Sequence, residues 1–142
     1  MNRIVVVGAS LAGLTAVETL REENFAGELV VINAETHAGY DRPPLSKKVL
    51  AGGMNASDIT LKQAEFFATN RVDHRIGVRA TAMDLAARTI LLGTGEILTF
   101  DGLLIATGLR PRPLPRQPAL RGLHMLRTLD DAVAIRADML GT

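Results

Sequence analysis

No cysteine occurs among these 142 residues. That excludes disulfides, thiolate metal sites and cysteine nucleophiles within this span. No apolar run is long enough to cross a bilayer, and no basic-then-apolar leader opens the chain. A cytoplasmic protein without a membrane partner is therefore expected. Neither sign of charge dominates: 16 Lys plus Arg face 15 Asp plus Glu, a net of +1. The basic excess of a nucleic-acid footprint is missing. The three histidines, at 37, 74 and 124, show no ligand spacing, so no metal site is expected. There is no repeat and no low-complexity tract. The one biased stretch is "GLRPRPLPRQPALRG" (108–122), rich in Pro and Arg.

What is present is an ordinary globular balance, 47% hydrophobic and 22% charged, at a length that suits one domain. "RIVVVG" (3–8) is apolar, β-branched and ends at glycine, the pattern of a strand buried on both faces. "SLAGLTAVETLREEN" (10–24) has helical spacing, with Leu11, Leu14, Val17 and Leu20 on one face. "ELVVIN" (28–33) is the next strand, which completes a βαβ unit. Residues 34–44 read as loop. "LSKKVLAG" (45–52) suggests a short helix closed by Gly52 and Gly53, and "LKQAEFFATN" (61–70) a second one, with Phe66 and Phe67 directed to the core. Strands are expected over 71–77 and 78–85, and a hairpin over 88–100 turning at Gly93–Gly95. "GLLIATG" (102–108) is a further buried strand. A last helix is expected over 128–140, with Thr128 as N-cap and Asp130 and Asp131 in its first turn.

"GASLAG" (8–13) is the first stretch that carries chemistry. Gly8 permits a tight turn out of the strand, and Gly13 lets the helix pack closely upon it. Ser10 replaces the usual middle glycine but is small enough to let backbone approach a ligand. The helix N-terminus behind the turn offers N–H groups and partial positive charge to a pyrophosphate. An acid to take ribose hydroxyls is expected about twenty residues on. Glu35 stands 22 residues after Gly13 (35 − 13), just beyond the second strand.

The second stretch is "YDRPPLSK" (40–47), stiff and doubly basic. With "VVVGASLAG", "LLIATG" and "LRTLDDA" in the same order, it resembles the FAD-dependent pyridine-nucleotide reductases that feed electrons to ferredoxins and rubredoxins. This is the ferredoxin, rubredoxin and putidaredoxin reductase type of the pyridine nucleotide-disulphide oxidoreductase superfamily. The resemblance covers essentially the whole chain. It implies an α/β fold, a Rossmann-like FAD-binding domain with a parallel sheet and a β-meander, truncated. It implies that Gly8, Ser10, Leu11, Ala12 and Gly13 cradle the FAD pyrophosphate. The ribose acid falls at the position of Ala34, and Glu35 beside it takes that role here. Arg42 is assigned to phosphate or ribose-side charge, and Pro44 to the loop that fixes the ring. Lys47 is assigned a place beside flavin N5, as the catalytic-site residue. Ala80 is assigned to main-chain bonds with adenine, Ala106, Thr107 and Gly108 to close backbone approach, and Arg127 to a further FAD contact. The prolines agree with this physically, since they fix φ and reduce the entropy of the unbound loop.

The absent cysteines select the subclass. Disulfide-reducing relatives carry a redox-active cysteine pair beside the flavin, where this chain has Pro, Pro, Leu, Ser and Lys. Electrons would leave reduced flavin for an outside ferredoxin- or rubredoxin-like iron–sulfur protein. Five arginines (110, 112, 116, 121 and 127) and no acid lie between Asp101 and Asp130. Apart from Arg127, they read chiefly as a solvated connector, or else as a surface that steers an acidic partner. Relatives are longer, with a second glycine turn for NAD(P)H that has no counterpart here. The expectation is thus an N-terminal fragment: residues 1–110 as the first segment of the FAD-binding domain, and 111–142 as connector and first helix toward an absent NAD(P)-binding domain. Alone it is expected not to turn over NAD(P)H, and its uncovered apolar surface could drive self-association. Alternatives are the flavin portion of a nitrite reductase subunit or an NADH oxidase, or a non-catalytic nucleotide-binding module. Tyr40 is open between packing on the adenosine side and anchoring the loop.

Overall fold

The computed structural model describes residues 1–116, 120 and 122–141. They divide into two compact units, one formed by residues 1–40 and 61–108 and the other by 41–60 and the described residues from 109 onward.

In the first unit, β1 (Arg3–Val7) runs into α1 (Leu11–Glu22) and then β2 (Glu28–Asn33). A short helix α2 (Ala64–Thr69) leads into β3 (Val72–Ile76). A meander follows, β4 (Ala80–Asp84), β5 (Thr89–Leu92) and β6 (Ile97–Thr99), and β7 (Gly102–Ile105) ends the unit. The parallel sheet has the order β3-β2-β1-β7, and β4-β5-β6 forms a separate antiparallel sheet.

Alternation along the strands explains why β1 and β2 read as unbroken apolar runs. Ile4, Val6, Leu29 and Val31 face one core with Leu14 and Val17 of α1, Phe67 and Val72. Val5, Val30 and Ile32 face a second core with Ile90, Leu92, Leu98 and Phe100 of the meander. Successive side chains point to opposite faces, and both faces are covered. Leu11 departs from the apolar stripe expected of α1: it is 61% exposed, because it occupies the first turn at the sheet's rim. Phe67 is buried and stacks on His74 with ring centroids 3.9 Å apart. Phe66 packs partly buried against the same core. The carboxylate of Asp101 accepts from the N–H groups of Asn2 and Arg3, at 2.6 and 2.9 Å, and ties the chain start to the β7 entrance.

In the second unit, a 3-10 turn spans Pro43–Ser46, and α3 (Leu129–Leu140) packs against it. Thr128 is the N-cap as the sequence predicts: its hydroxyl accepts from the Asp131 N–H at 3.2 Å, and the Asp131 carboxylate accepts from the Thr128 N–H at 2.7 Å. Burial raises the Asp131 carboxyl, but N–H bonds from Thr128 and Arg127 outweigh it and hold the group below its usual range.

The helix expected over 45–52 does not form. Two prolines at the start supply fixed φ without N–H groups, and the chain closes i→i+3 bonds instead: Leu45 N–H to Arg42 at 3.0 Å and Lys47 N–H to Pro44 at 3.0 Å. Leu45 and Val49 are buried at helical spacing, which is what imitated a helix. The strand expected over 102–108 ends at Ile105, so "ATG" lies beyond it. In the hairpin turn only Gly95 takes positive φ, at 90°. Arg110, Arg112 and Arg116 are exposed, while Arg121 lies outside the described residues.

Candidate functional site

The glycine turn is built by exclusion of side chains. Gly8 has φ 115°, and a Cβ there would stand 2.3 Å from the Ala106 carbonyl oxygen and 3.1 Å from the Thr107 nitrogen. The turn and the segment after β7 thus meet backbone to backbone. Hydrogen bonds on either side fix the meeting: Gly8 N–H donates to Ile32 at 2.8 Å, and Ala106 N–H to Val7 at 2.8 Å. Gly13 brings α1 down on the turn, where a Cβ would lie 1.9 Å from the Gly8 carbonyl oxygen. Ser10 occupies the N-cap in extended conformation and makes no side-chain cap bond. The N–H groups of Leu11, Ala12 and Gly13 lie in the first turn, ahead of the first intrahelical bond, which Leu14 donates to Ser10 at 3.0 Å. The structure brings the predicted Gly8, Ser10, Leu11, Ala12, Gly13, Ala106 and Thr107 to one corner of the sheet. Gly108 follows with φ 70°.

The end of β2 supplies the acid. Ala34 is exposed and has no polar side chain to offer. Glu35 is half-buried, and the Tyr40 hydroxyl donates to its Oε2 at 2.5 Å. Tyr40 itself is 4% exposed. The loop between them is organised by Asn33, whose amide donates to the His37 carbonyl at 2.7 Å and accepts from the Glu35 N–H at 3.2 Å. Gly39 presses on the glycine turn: a Cβ there would lie 1.8 Å from the Ala9 carbonyl oxygen. Asn33, Gly39 and Tyr40 are the residues sequence reasoning missed or left open. The available signal was a buried-type position, the last of an apolar strand, occupied by an amide.

Ala80 opens β4 next to a register shift between Ala80 and Ala82. It lines an open cavity of about 190 Å³ with Val7, Met83, Ile90, Leu103 and Ile105. The cavity wall is apolar, as suits a flat ring or an apolar segment.

The second unit holds Arg42, Pro44, Lys47 and Arg127. Arg42 donates to the Arg127 carbonyl at 2.7 Å, and the Arg127 guanidinium donates to the Leu109 carbonyl at 3.1 Å. The Arg127 N–H donates to Asp131 at 2.9 Å. Arg42 and Arg127 are thus brought together through main chain, and the Pro-Pro loop is anchored to the cap of α3. Lys47 is exposed at the end of the 3-10 turn, beside the buried Leu45 and Val49. Among the described residues no group of three or more His, Asp or Glu could hold a metal ion. No helix of the described residues is long and apolar enough to cross a membrane.

A strand, a glycine turn closed on backbone, a helix and an acid at the next strand end form the corner of a dinucleotide fold. The family description "pyridine nucleotide-disulphide oxidoreductase" matches residues 2–141. The chain belongs to this family. Among curated proteins it is 40% identical, over 96% of its length, to the ferredoxin–NAD(+) reductase component of the biphenyl dioxygenase system of Paraburkholderia xenovorans, and covers 33% of that protein. Among solved structures it is similar to the ferredoxin reductase for the CYP199A2 system from Rhodopseudomonas palustris, with TM-score 0.91, 31% identity, and 99% and 35% of the two chains covered. It is also similar to the reductase of the covalent putidaredoxin reductase–putidaredoxin complex, with TM-score 0.89, 33% identity, and 97% and 34% covered. The chain spans about a third of the length of the relatives it matches. Despite the family's name, no dithiol exists in this span.

Proposed function

We propose that this chain is the FAD-binding part of an NAD(P)H-dependent flavoprotein reductase. The parent enzyme would pass electrons from NAD(P)H through FAD to a ferredoxin- or rubredoxin-like iron–sulfur protein in the cytoplasm. The observation that carries the proposal is the glycine turn at the head of α1, where Gly8 closes on Ala106 backbone, Gly13 closes on Gly8, and the N–H groups of Leu11, Ala12 and Gly13 lie ahead of the first intrahelical bond. Such a turn at the head of a helix suits a pyrophosphate, which needs N–H donors at close range and no intervening side chain.

FAD supplies the hydride and single-electron chemistry. The protein's residues bind and tune it. Gly8, Ser10, Leu11, Ala12 and Gly13 hold the pyrophosphate, Glu35 accepts from the adenosine ribose, and Ala80 offers main chain to adenine. Ala34, an apolar residue in the position before the acid, contributes only its backbone. Ala106, Thr107 and Gly108 contribute backbone at the cradle. Arg42, Pro44 and Arg127 act from the loop anchored at α3, with Arg42 and Arg127 supplying positive charge. Lys47 is the cation assigned to reduced flavin. Residues 1–110 form the first segment of the FAD-binding domain, and 111–142 lead toward the NAD(P)-binding domain. In isolation, the apolar surface at Ile105, 57% exposed, would favour self-association.

The test is direct. Purified full-length protein should carry a flavin absorbance spectrum and reduce a purified ferredoxin at the expense of NADH or NADPH. A full-length protein that stays colourless after incubation with FAD would refute the flavin assignment. A yellow protein that reduces oxygen or nitrite but no iron–sulfur protein would leave the flavin reading intact and overturn the acceptor.

A further inference from the structure

The segment from Asn33 to Tyr40 is more rigidly constructed than a surface loop needs to be. Asn33, only 8% exposed, spends both ends of its amide on the loop's own backbone, at His37 and Glu35. The β3–β4 connector braces it from outside, with Gly77 N–H donating to Glu35 at 3.0 Å and Val78 N–H to Asn33 at 2.9 Å. Gly39 seats the loop on the carbonyl of Ala9, within the glycine turn. The next residue, Tyr40, is buried and sends its hydroxyl back to the Glu35 carboxylate at 2.5 Å. A buried phenol needs a polar partner. Here the partner is an acid five residues earlier, and a bond to an ionised acceptor is of the strong class.

Resting on the assignment of Glu35 to the adenosine ribose, we infer that Tyr40 is a positioning residue for that contact. Its hydroxyl holds the Glu35 carboxylate in one arrangement, in register with the glycine turn through Gly39, so that a ribose diol meets an acceptor already in place. Glutamate has among the largest rotamer freedoms to lose on ordering. Fixing it beforehand removes that cost from binding. The ligand class is a dinucleotide whose adenosine carries free ribose hydroxyls. Tyr40 would discriminate for the 2′-hydroxyl without touching it.

The experiment uses full-length protein stripped of flavin and titrated with FAD and with the FAD analogue whose adenosine lacks the 2′-hydroxyl. Tyr40→Phe keeps the ring and its burial and removes only the hydroxyl. It should weaken FAD roughly 10-fold and bring the affinity ratio of FAD to the deoxy analogue toward one. Glu35→Gln should weaken FAD at least as much, and Tyr40→Phe added to it should cost less than a further twofold. Tyr40→Phe that binds FAD within twofold of wild type overturns the inference. So does an equal loss for both dinucleotides, which is the signature of a loop tether with no bearing on the ribose. If Glu35→Gln leaves FAD affinity unchanged, the ribose assignment itself fails and takes the inference with it. If Glu35→Gln weakens binding and Tyr40→Phe does not, only the inference fails.

Discussion

Gly13→Ala reverses the sign that helix propensity assigns. Within a helix, exchanging Gly for Ala gains about 1 kcal/mol. In α1 the new Cβ would stand 1.9 Å from the Gly8 carbonyl oxygen and 3.2 Å from Val6 Cγ1. Ordinary contact begins at 3.4 Å, so the helix or the turn must give by 3.4 − 1.9 = 1.5 Å. Neither yields easily. The obstructing atom is main chain, and the turn behind it rests on the Ala106 carbonyl. The helix is held by Leu14 and Val17, at 1% and 0% exposure. Overpacking of this kind costs about 1–3 kcal/mol, and a backbone obstacle puts it near the upper end. Subtracting the propensity gain leaves a net loss of about 2 kcal/mol, or a melting temperature lower by roughly 7 °C for a domain of this size. Thermal unfolding monitored by circular dichroism, with wild type alongside, measures it. FAD affinity should fall as well, because the displaced elements form the cradle. A variant that melts at or above the wild-type temperature would refute the close-approach argument for Gly13.

Three further outcomes follow from separate parts of the molecule. Burial lowers the pKa of His74 and outweighs Asp73, which raises it, so the unfolded chain takes up the proton first as pH falls. Stability should be full above about pH 6.5 and decline below it, toward the folded-state pKa; His74→Phe, which can keep the stack on Phe67, should flatten that slope in urea midpoints taken between pH 5 and 8. Thr128→Ala removes the hydroxyl acceptor of the α3 cap and should cost about 1 kcal/mol, whereas the Asp131 half of the cap, its carboxyl held low, should lose its stabilisation only as pH falls through that lowered value. Lys47→Ala should leave the melting temperature unchanged, since the side chain is exposed, yet lower the flavin midpoint potential in a dye-equilibrated reduction; an unchanged potential would remove Lys47 from the flavin.

How far the sequence disclosed this molecule depends on how local each cause is. β1, α1 and β2 were legible because both the apolar alternation and the glycine turn are written within single elements. The α3 cap was legible for the same reason, as Thr128 and Asp131 lie three residues apart. The stretch over 45–52 was misjudged because Leu45 and Val49 have helical spacing, while the prolines preceding them impose a 3-10 turn. Gly8 and Gly13 were found as a motif, but the contact that makes Gly8 necessary comes from Ala106, 98 residues later (106 − 8). Spacing within a motif does not reveal a partner at that distance.

Gly39 shows why the remainder of the candidate site stayed hidden. It belongs to no recurring pattern, and it stands just outside the "YDRPPLSK" stretch. Its reason is purely steric: a Cβ would strike Ala9 backbone at 1.8 Å and the Leu14 side chain at 2.7 Å. The same corner already excludes side chains at Gly8 and Gly13. Three glycines, at 8, 13 and 39, thus converge on a few atoms of one turn, while a Cβ at Gly95 or Gly122 would meet nothing within 4 Å. Each missing Cβ is space that neighbouring backbone occupies, Ala106 for Gly8, Gly8 for Gly13 and Ala9 for Gly39, which offsets the entropic cost of ordering a glycine. The same packing holds the turn rigid at the head of α1, where the first N–H groups have no intrahelical acceptor. The acid that Asn33 and Tyr40 restrain stands on the loop that Gly39 seats there. Under the proposed FAD reading, the packing at the turn and the restraint of Glu35 serve one demand, a fixed distance between the phosphate site and the ribose acceptor.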